Sequence, residues 1–450
     1  MTATVDDTDV EHDQPSGART ARWRTLWERP EYRWLLLIVV VAFVLRYAWL
    51  WYAEAAPPYT WLNSGDQYSY WYYGNEIAAG HGYVSYITHQ PTAYYPIGYP
   101  ALLAALFFTV GHLHLPGDLM YWAGLMHVVM GTATVVFVFL IGRRLFNATT
   151  GLIAAALLAV MPNAIFETTS LQLEIAFIFF STAALTIIVL HDWSKGLPSR
   201  NRLLTFGFVL GLSVLVRPFS AWFVVGLFLA VLAVGAGWRR AITVTLVPVL
   251  VVVGMSIPWV IRNEFRMHAF VLTSTNTGDT LCLDRNSTAQ GGFRFADHDG
   301  CVDPGLPEVQ RSAGNTHKAI SFVVHNPGRE GLEILRRAKF EFAHDHDGIE
   351  ASETLGSGPF LRQGVRNLLD DTADYYFFVL LGVAALGLVV MLVRERRRPE
   401  ARLVLVAFAA MLVIPLLLWG NPRFHLPLYP YLVVFAAAAI GPLVSRSARS

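Results

Sequence analysis

The chain has 450 residues, of which 54% are hydrophobic and 15% charged, with a formal net charge of +1 and a mean hydropathy of +0.43. So few charges, and repeated apolar runs near bilayer-crossing length, exclude an ordinary soluble domain and point to a polytopic membrane protein. A charge balance this close to neutral gives nucleic-acid binding no support.

Residues 1–20 are acidic, then mixed with Pro, Ser and Gly, which predicts a disordered cytoplasmic start reaching about residue 33. They lack the apolar core and cleavage site of a signal peptide, so the first apolar run is expected to be retained. Ten spans are predicted, at 34–53, 118–142, 149–163, 173–191, 203–216, 219–237, 241–260, 375–393, 403–419 and 424–442. Basic residues set their direction. Arg22, Arg24, Arg29 and Arg33 precede the first span, and Arg143 and Arg144 follow the second. Lys195, Arg200, Arg202, Arg239, Arg240, a group from Arg394 to Arg402, and Arg446 and Arg449 fall on the same side. The positive-inside rule makes that side cytoplasmic. Both termini, including the tail 443–450, are then inside, and loops 54–117, 164–172, 261–374 and 420–423 are outside. The run 100–110 is too short to span. Crossing there would invert every later basic cluster, so a re-entrant or surface helix is expected.

Eleven of the 18 tyrosines lie between Tyr52 and Tyr99, in the first outer loop. Tyrosine gathers where one end of a side chain meets lipid and the other water. Ser64 or Asp66 can cap a helix of about 66–79 that stops at Gly80, with Asp66, Tyr70, Tyr73 and Ile77 on one face. Asp66 is therefore either a plain cap or a partly desolvated carboxylate of raised pKa, suited to accept a proton. Glu167 and Glu174 flank the next outer turn, seven residues apart and able to share a helix face. Glu174 opens an apolar run, where a carboxylate is either paired or complements the helix dipole.

Arg46 lies toward the outer end of the first span, and Arg217, Arg262, Arg266 and Arg423 sit at outer ends of others. Five such arginines could grip a phosphate, or they could be unrelated snorkelling residues. The 261–374 loop is the one extracytoplasmic segment large enough for a cap, with an amphipathic helix at about 328–343 carrying Leu332, Leu335 and Phe342. It holds both cysteines, Cys282 and Cys301, which pair if the loop faces an oxidising compartment and otherwise stay free thiols. His344-Asp345-His346-Asp347 has metal-ligand residue types at a spacing that fits no metal motif, and reads as a solvated loop. His89, His317 and His425 are lone histidines, expected to be structural. The Asn147 and Asn286 glycosylation patterns are weak signals, and no phosphate-cradling loop or nucleotide fingerprint is present.

Several stretches in order resemble the GT-C membrane glycosyltransferases, in particular the family 39 group related to protein O-mannosyltransferases and the lipid A aminoarabinose transferase. They are Arg46 with Gly65-Asp66, Tyr95-Pro96-Ile97-Gly98-Tyr99-Pro100, Glu174, Leu215-Val216-Arg217-Pro218, Ile257-Pro258-Trp259-Val260-Ile261-Arg262-Asn263 and Asn421-Pro422-Arg423-Phe424-His425. The resemblance implies an all-α fold of about ten transmembrane helices plus surface and re-entrant helices. It divides the chain into a catalytic membrane module at 34–260, the cap at 261–374 and C-terminal helices at 375–442. It also implies a plasma-membrane enzyme with an extracytoplasmic active site. The donor would be a polyprenyl-phosphate-linked sugar, a hexose or a pentose, and the acceptor a hydroxyl of a glycan, lipid or protein. Asp66 would be the general base, with Glu174 a second catalytic acid. Arg262, Arg217 and Arg423, in that order, or a divalent metal, would steady the leaving phosphate, with Arg46, Tyr70 and Tyr95 as further substrate-binding residues. Apolar grooves would take the polyprenyl tail. Gln67 stands where some relatives have a second acid, and Thr92-Ala93-Tyr94 where some have an acid before the Tyr-Pro segment, which leaves metal dependence open. The alternative is a transporter or lipid flippase, which calls for internal repeats and mid-membrane charges not seen here.

Overall fold

The computed structural model describes residues 29–54, 65–292, 301, 305–354 and 360–447. Most of residues 1–33, and Ser64, lie outside the described residues. Helices dominate; among the described residues there is no strand, only isolated bridges joining Val84 to Pro91 and Gly292 to Gly420.

The membrane bundle is built from α1 (Pro30–Glu54), α4 (Leu119–Leu145), α5 (Ala148–Ala159), α7 (Glu174–Val189), α8 (Arg200–Val216), α9 (Phe223–Ala233), α10 (Trp238–Met267), α15 (Gln363–Val390), α16 (Pro399–Leu416) and α17 (Tyr429–Ser447). Local chemistry sets several of their ends. Pro30 and Pro399 occupy first turns, where the missing N–H costs nothing. Asp118 caps α4 by accepting from the Met120 N–H, and Asn147 caps α5 by accepting from Thr150. His268, in the left-handed region at φ 52°, ends α10. Gly387 of α15 meets α17 so closely that a Cβ there would lie 1.7 Å from the Phe435 carbonyl oxygen.

Each of the ten predicted runs is helical, but among the described residues six segments are long and apolar enough to cross a bilayer. They are α1, α4, α10, α15 with its extension to Glu395, α16 and Pro422–Gly441. α5 and Pro162–Thr169, which starts with α6 (Pro162–Phe166), are bent by 63° and count as a seventh when taken as one span. The others fall short because prolines and polar turns cut the runs. Pro218 separates α8 from α9, and α7 has 16 residues, about 24 Å at ~1.5 Å per residue against a core of ~30 Å. The 100–110 run forms α3 (Gly98–His112), 15 residues that pack on α2 (Asp66–Ala78) and α8.

One end of the bundle carries everything else. α2 (Asp66–Ala78) replaces the predicted helix 66–79, with Gly65 rather than Ser64 or Asp66 at its cap, at φ 104°. The cap region contains α11 (Asn276–Leu283), α12 (Glu308–His325), α13 (Pro327–Glu341) and α14 (Asp347–Thr354). Cys282 and Cys301 are joined by a disulfide. α13, expected at 328–343, is inverted: its buried residues are Glu333, Arg337 and Glu341, while Leu332 and Leu335 face outward. The inversion follows from a long-range partner, because Arg337 pairs with Asp284, outside the helix, as well as with Glu330 of α13 itself.

Candidate active site

The site begins where α2 begins. Gly65 takes a positive φ that lets the chain turn into the helix and leaves Asp66 at its first position, with its carboxylate free of capping duty. One Asp66 oxygen accepts from the Tyr95 hydroxyl at 2.5 Å. The other accepts from Arg423, which arrives from the 3-10 segment Pro422–Leu428. Asn421 fixes that entry by accepting the Arg423 backbone N–H at 3.0 Å. Arg423 also donates to Gln172 at 3.2 Å, and its Nε lies 4.0 Å from Glu174.

Glu174 opens α7 and is almost wholly buried; Arg217 donates to it at 2.8 Å. Pro218 holds Arg217 in an extended conformation between two helical segments, which aims the side chain across the bundle. The Arg217 guanidinium is bordered by Phe177, Phe219 and Phe424, with ring centroids at 5.8, 5.3 and 5.2 Å. Two carboxylates and two guanidinium groups are thus charge-balanced among aromatic faces, where each is strongly felt by its neighbours. The balance is incomplete in hydrogen bonds. Glu174 Oε2, Arg217 Nη1 and Arg423 Nε have no hydrogen-bond partner among the described residues.

Burial opposes the charge on Asp66, but the Arg423 guanidinium, the Tyr95 hydroxyl and Arg217 together outweigh it and hold the carboxyl below its ordinary range. This corrects the expected upward shift. An ionised Asp66 locked to Arg423 is a weak base, and it gains basicity only when the guanidinium turns to another anion.

The other predicted residues sit elsewhere or in supporting roles. Tyr70 is buried between Tyr95 and Tyr99, with ring centroids 5.0 and 5.1 Å away. Arg262 is not in the cluster: it donates to the Tyr83 carbonyl, to that of Thr92 at 2.7 Å and to Asn263 at 2.9 Å. It therefore braces the aromatic loop. Arg46 is buried between helices, donating to the carbonyls of Ala42, Ala159 and Leu158, each at 3.1 Å. Arg266 is exposed near the end of α10. Glu167 does not share a helix face with Glu174, because a 3-10 turn and a bend separate them. His425 is structural, as expected, but its partner shows that the 344–347 stretch is no solvated loop. Asp345 is buried and accepts from Asn163 and Tyr429, with His425 at 2.8 Å.

Sequence reasoning missed Gln172 and Glu308. Glu308 supplies a carboxylate to the Thr92-Ala93-Tyr94 stretch, which has no acid of its own, accepting from Thr92 Oγ1 at 2.5 Å, the Ala93 N–H at 2.9 Å and Thr275 Oγ1 at 2.6 Å. Its position, 215 residues along the chain from Ala93, left no local signal. Among the described residues, no three His, Cys, Asp or Glu side chains gather closely enough to hold a metal. Asp66 and Glu174 each face a guanidinium, a donor set that does not fit a resident divalent cation in this conformation.

An apolar cleft of about 470 Å³ is lined by Ile97, Gly98, Leu215, Val216, Met255 and Trp259, among others, and reaches the quartet's chain at Val216, the residue before Arg217. At its wall Gly98 lets α3 touch α8: a Cβ there would sit 2.4 Å from the Leu215 carbonyl carbon.

A profile of the dolichyl-phosphate-mannose-protein mannosyltransferase family matches residues 100–261, short of half the chain. The apo oligosaccharyltransferase of Archaeoglobus fulgidus superposes with a TM-score of 0.57 at 16% identity, over 93% of this chain and 51% of that one. The fold is that of the GT-C membrane glycosyltransferases. The same A. fulgidus protein in complex with an inhibitory peptide and a dolichol-phosphate gives a TM-score of 0.53 at 16% identity, over 94% and 51% of the two chains. The chain thus spans about half the length of the oligosaccharyltransferase structures it matches. ArnT from Cupriavidus metallidurans bound to undecaprenyl phosphate aligns at 15% identity over 92% and 79%, but its TM-score of 0.41 adds nothing to the assignment. Among curated proteins no relative matches.

Proposed function

We propose that this GT-C protein transfers a sugar from a polyprenyl-phosphate donor to an acceptor hydroxyl at the outer face of the membrane. The observation that carries the reading is the Asp66–Arg423–Glu174–Arg217 quartet, with unused hydrogen-bonding atoms, and an apolar cleft that reaches its chain at Val216. The donor's prenyl tail lies in the cleft lined by Gly98 and Leu215. Its phosphate draws Arg423 and Arg217, whose fork-shaped guanidinium groups match phosphate oxygens. Arg423 then releases Asp66, which becomes basic enough to take the acceptor's proton. The acceptor oxygen bonds to the anomeric carbon as the bond from that carbon to the phosphate oxygen breaks. Polyprenyl phosphate leaves with the electron pair, its charge met by the two arginines. Glu174 keeps Arg217 aimed, and no step is routed through a metal. The positive-inside pattern of the basic clusters supports the outer face.

The test is turnover by purified protein with a labelled lipid-linked sugar, followed as release of polyprenyl phosphate. Wild type should release it and Asp66→Asn should not. Equal turnover by both removes Asp66 as base. Transport of the intact lipid with no release favours the flippase alternative.

A further inference from the structure

α13 presents its charges to the protein and its leucines outward, and the surroundings show what the leucines face. Arg337 donates to the Leu416 carbonyl at 3.2 Å, and Arg285 to those of Leu417 and Leu418 at 2.6 and 3.2 Å. Leu416 ends span α16 and Leu417 and Leu418 follow it directly, where a helix leaves carbonyls unpaired at its C-terminus. α13 therefore lies across the end of a span. Phe342, just past α13, stacks on Phe377 of span α15 and on His425, with ring centroids 6.4 and 5.8 Å apart. Phe342 thus ties the C-terminal end of α13 to the membrane bundle. On the face of α13 away from its buried charges, Leu335 is 69% exposed and Leu332 48%. Val413 of α16, and Leu417 just past it, are exposed as well.

A basic cleft of about 530 Å³ adjoins these leucines, lined by Ser287, Thr288, Arg329, Arg336, Lys339 and Phe340 among others. Three cations line it. One carboxylate, Glu333, answers two of them, at 2.7 Å from Arg336 and 3.7 Å from Arg329. Lys339 is exposed, with no ion pair among the described residues. Leucines on one edge and unbalanced basic groups beside them are the pattern of a helix lying in a lipid interface.

We propose that α13 docks on the bilayer, with Leu332 and Leu335 in the acyl boundary and the phosphate of an anionic phospholipid in the cleft formed by Arg329, Arg336 and Lys339. The occupant is leaflet lipid, because α13 is pinned to the end of a membrane span with its leucines exposed and the cleft's net charge is positive.

The native cysteines are both in the disulfide, so an introduced cysteine is the one free thiol in the chain. Full-length protein carrying a nitroxide at Leu335→Cys, Leu332→Cys or the exposed cap position Glu350→Cys would be placed in nanodiscs of phosphatidylcholine with and without phosphatidylglycerol. The two leucine sites should meet dissolved oxygen more readily than an aqueous nickel complex, and the Glu350 site the reverse. Nickel access at both leucine sites equal to that at Glu350 overturns the docking. Native mass spectrometry should show phosphatidylglycerol retained over phosphatidylcholine, with the preference falling about fivefold in Lys339→Gln, as expected for one basic group at an anionic surface. Equal retention of the two lipids by wild type, or displacement of phosphatidylglycerol by inorganic phosphate, overturns the headgroup site.

Discussion

The molecule contains two quartets of the same composition. In the membrane module, Asp66 and Glu174 face Arg217 and Arg423. In the cap, Asp284 and Glu330 face Arg285 and Arg337. The cap quartet is saturated. Its guanidinium groups reach both acids and the carbonyls of Leu416, Leu417 and Leu418, and none of its side-chain polar atoms is left buried without a hydrogen bond. The membrane quartet leaves Glu174 Oε2, Arg217 Nη1 and Arg423 Nε unused. Identical residue types thus serve different ends, and the unspent hydrogen bonds distinguish a site from a strut.

The sharpest way to break this comparison is to remove one acid from each quartet. Asp66→Asn should lower turnover by about 10²–10⁴-fold, the usual worth of a general base, far more than the loss of its pair with Arg423 lowers the folded fraction. Asp284→Asn should do the opposite. It takes from the buried Arg337 one of its two carboxylate partners, leaving Glu330, at a cost of about 1–3 kcal/mol, read as a lower unfolding temperature with activity tracking the folded fraction. If Asp66→Asn unfolds the protein and Asp284→Asn only slows it, the assignments are reversed.

A subtler contrast is electrostatic. Arg423 helps hold the Asp66 carboxyl below its ordinary range, so the stabilising pair persists above that range and is lost as pH falls through the depressed value. Arg423→Gln should move the acid limb of the pH–rate profile to higher pH, while Arg285→Gln should not. The smallest effect concerns Glu341, next to the cap quartet, whose carboxyl burial pushes up to about 8. The folded protein keeps that proton up to about pH 8, whereas the unfolded chain releases it at the lower, ordinary value. Stability should therefore fall as pH rises through that window, and Glu341→Gln should flatten the slope. Both are read from unfolding temperature against pH.

Much of the membrane quartet was legible in the chain. Asp66 stood out as an acid in an aromatic loop, and Glu174, Arg217 and Arg423 as charges at the ends of apolar runs. Their pairing was not legible, and Arg262 was ranked first among the arginines. Its sequence setting matches that of Arg217, but the partners that occupy it are the backbone carbonyls of Tyr83 and Thr92. Backbone acceptors carry no residue-type signal. The downward shift of the Asp66 carboxyl was hidden for a related reason, since Arg423 lies 357 positions away in the chain. The outline of α2 and the location of α13 were local matters of period and turn chemistry. Which face of α13 turned inward was decided by Asp284, outside the helix.

Gln67 gives the quartet one more property. Its amide donates to the Ala351 carbonyl of α14 at 3.2 Å and accepts the Leu171 N–H at 2.9 Å. The residue beside the proposed base is therefore anchored at once to the lid-like cap and to the turn that carries Gln172. Any tilt of α14 pulls on the backbone that carries Asp66, so whatever settles on the cap is mechanically in touch with the carboxylate beneath it.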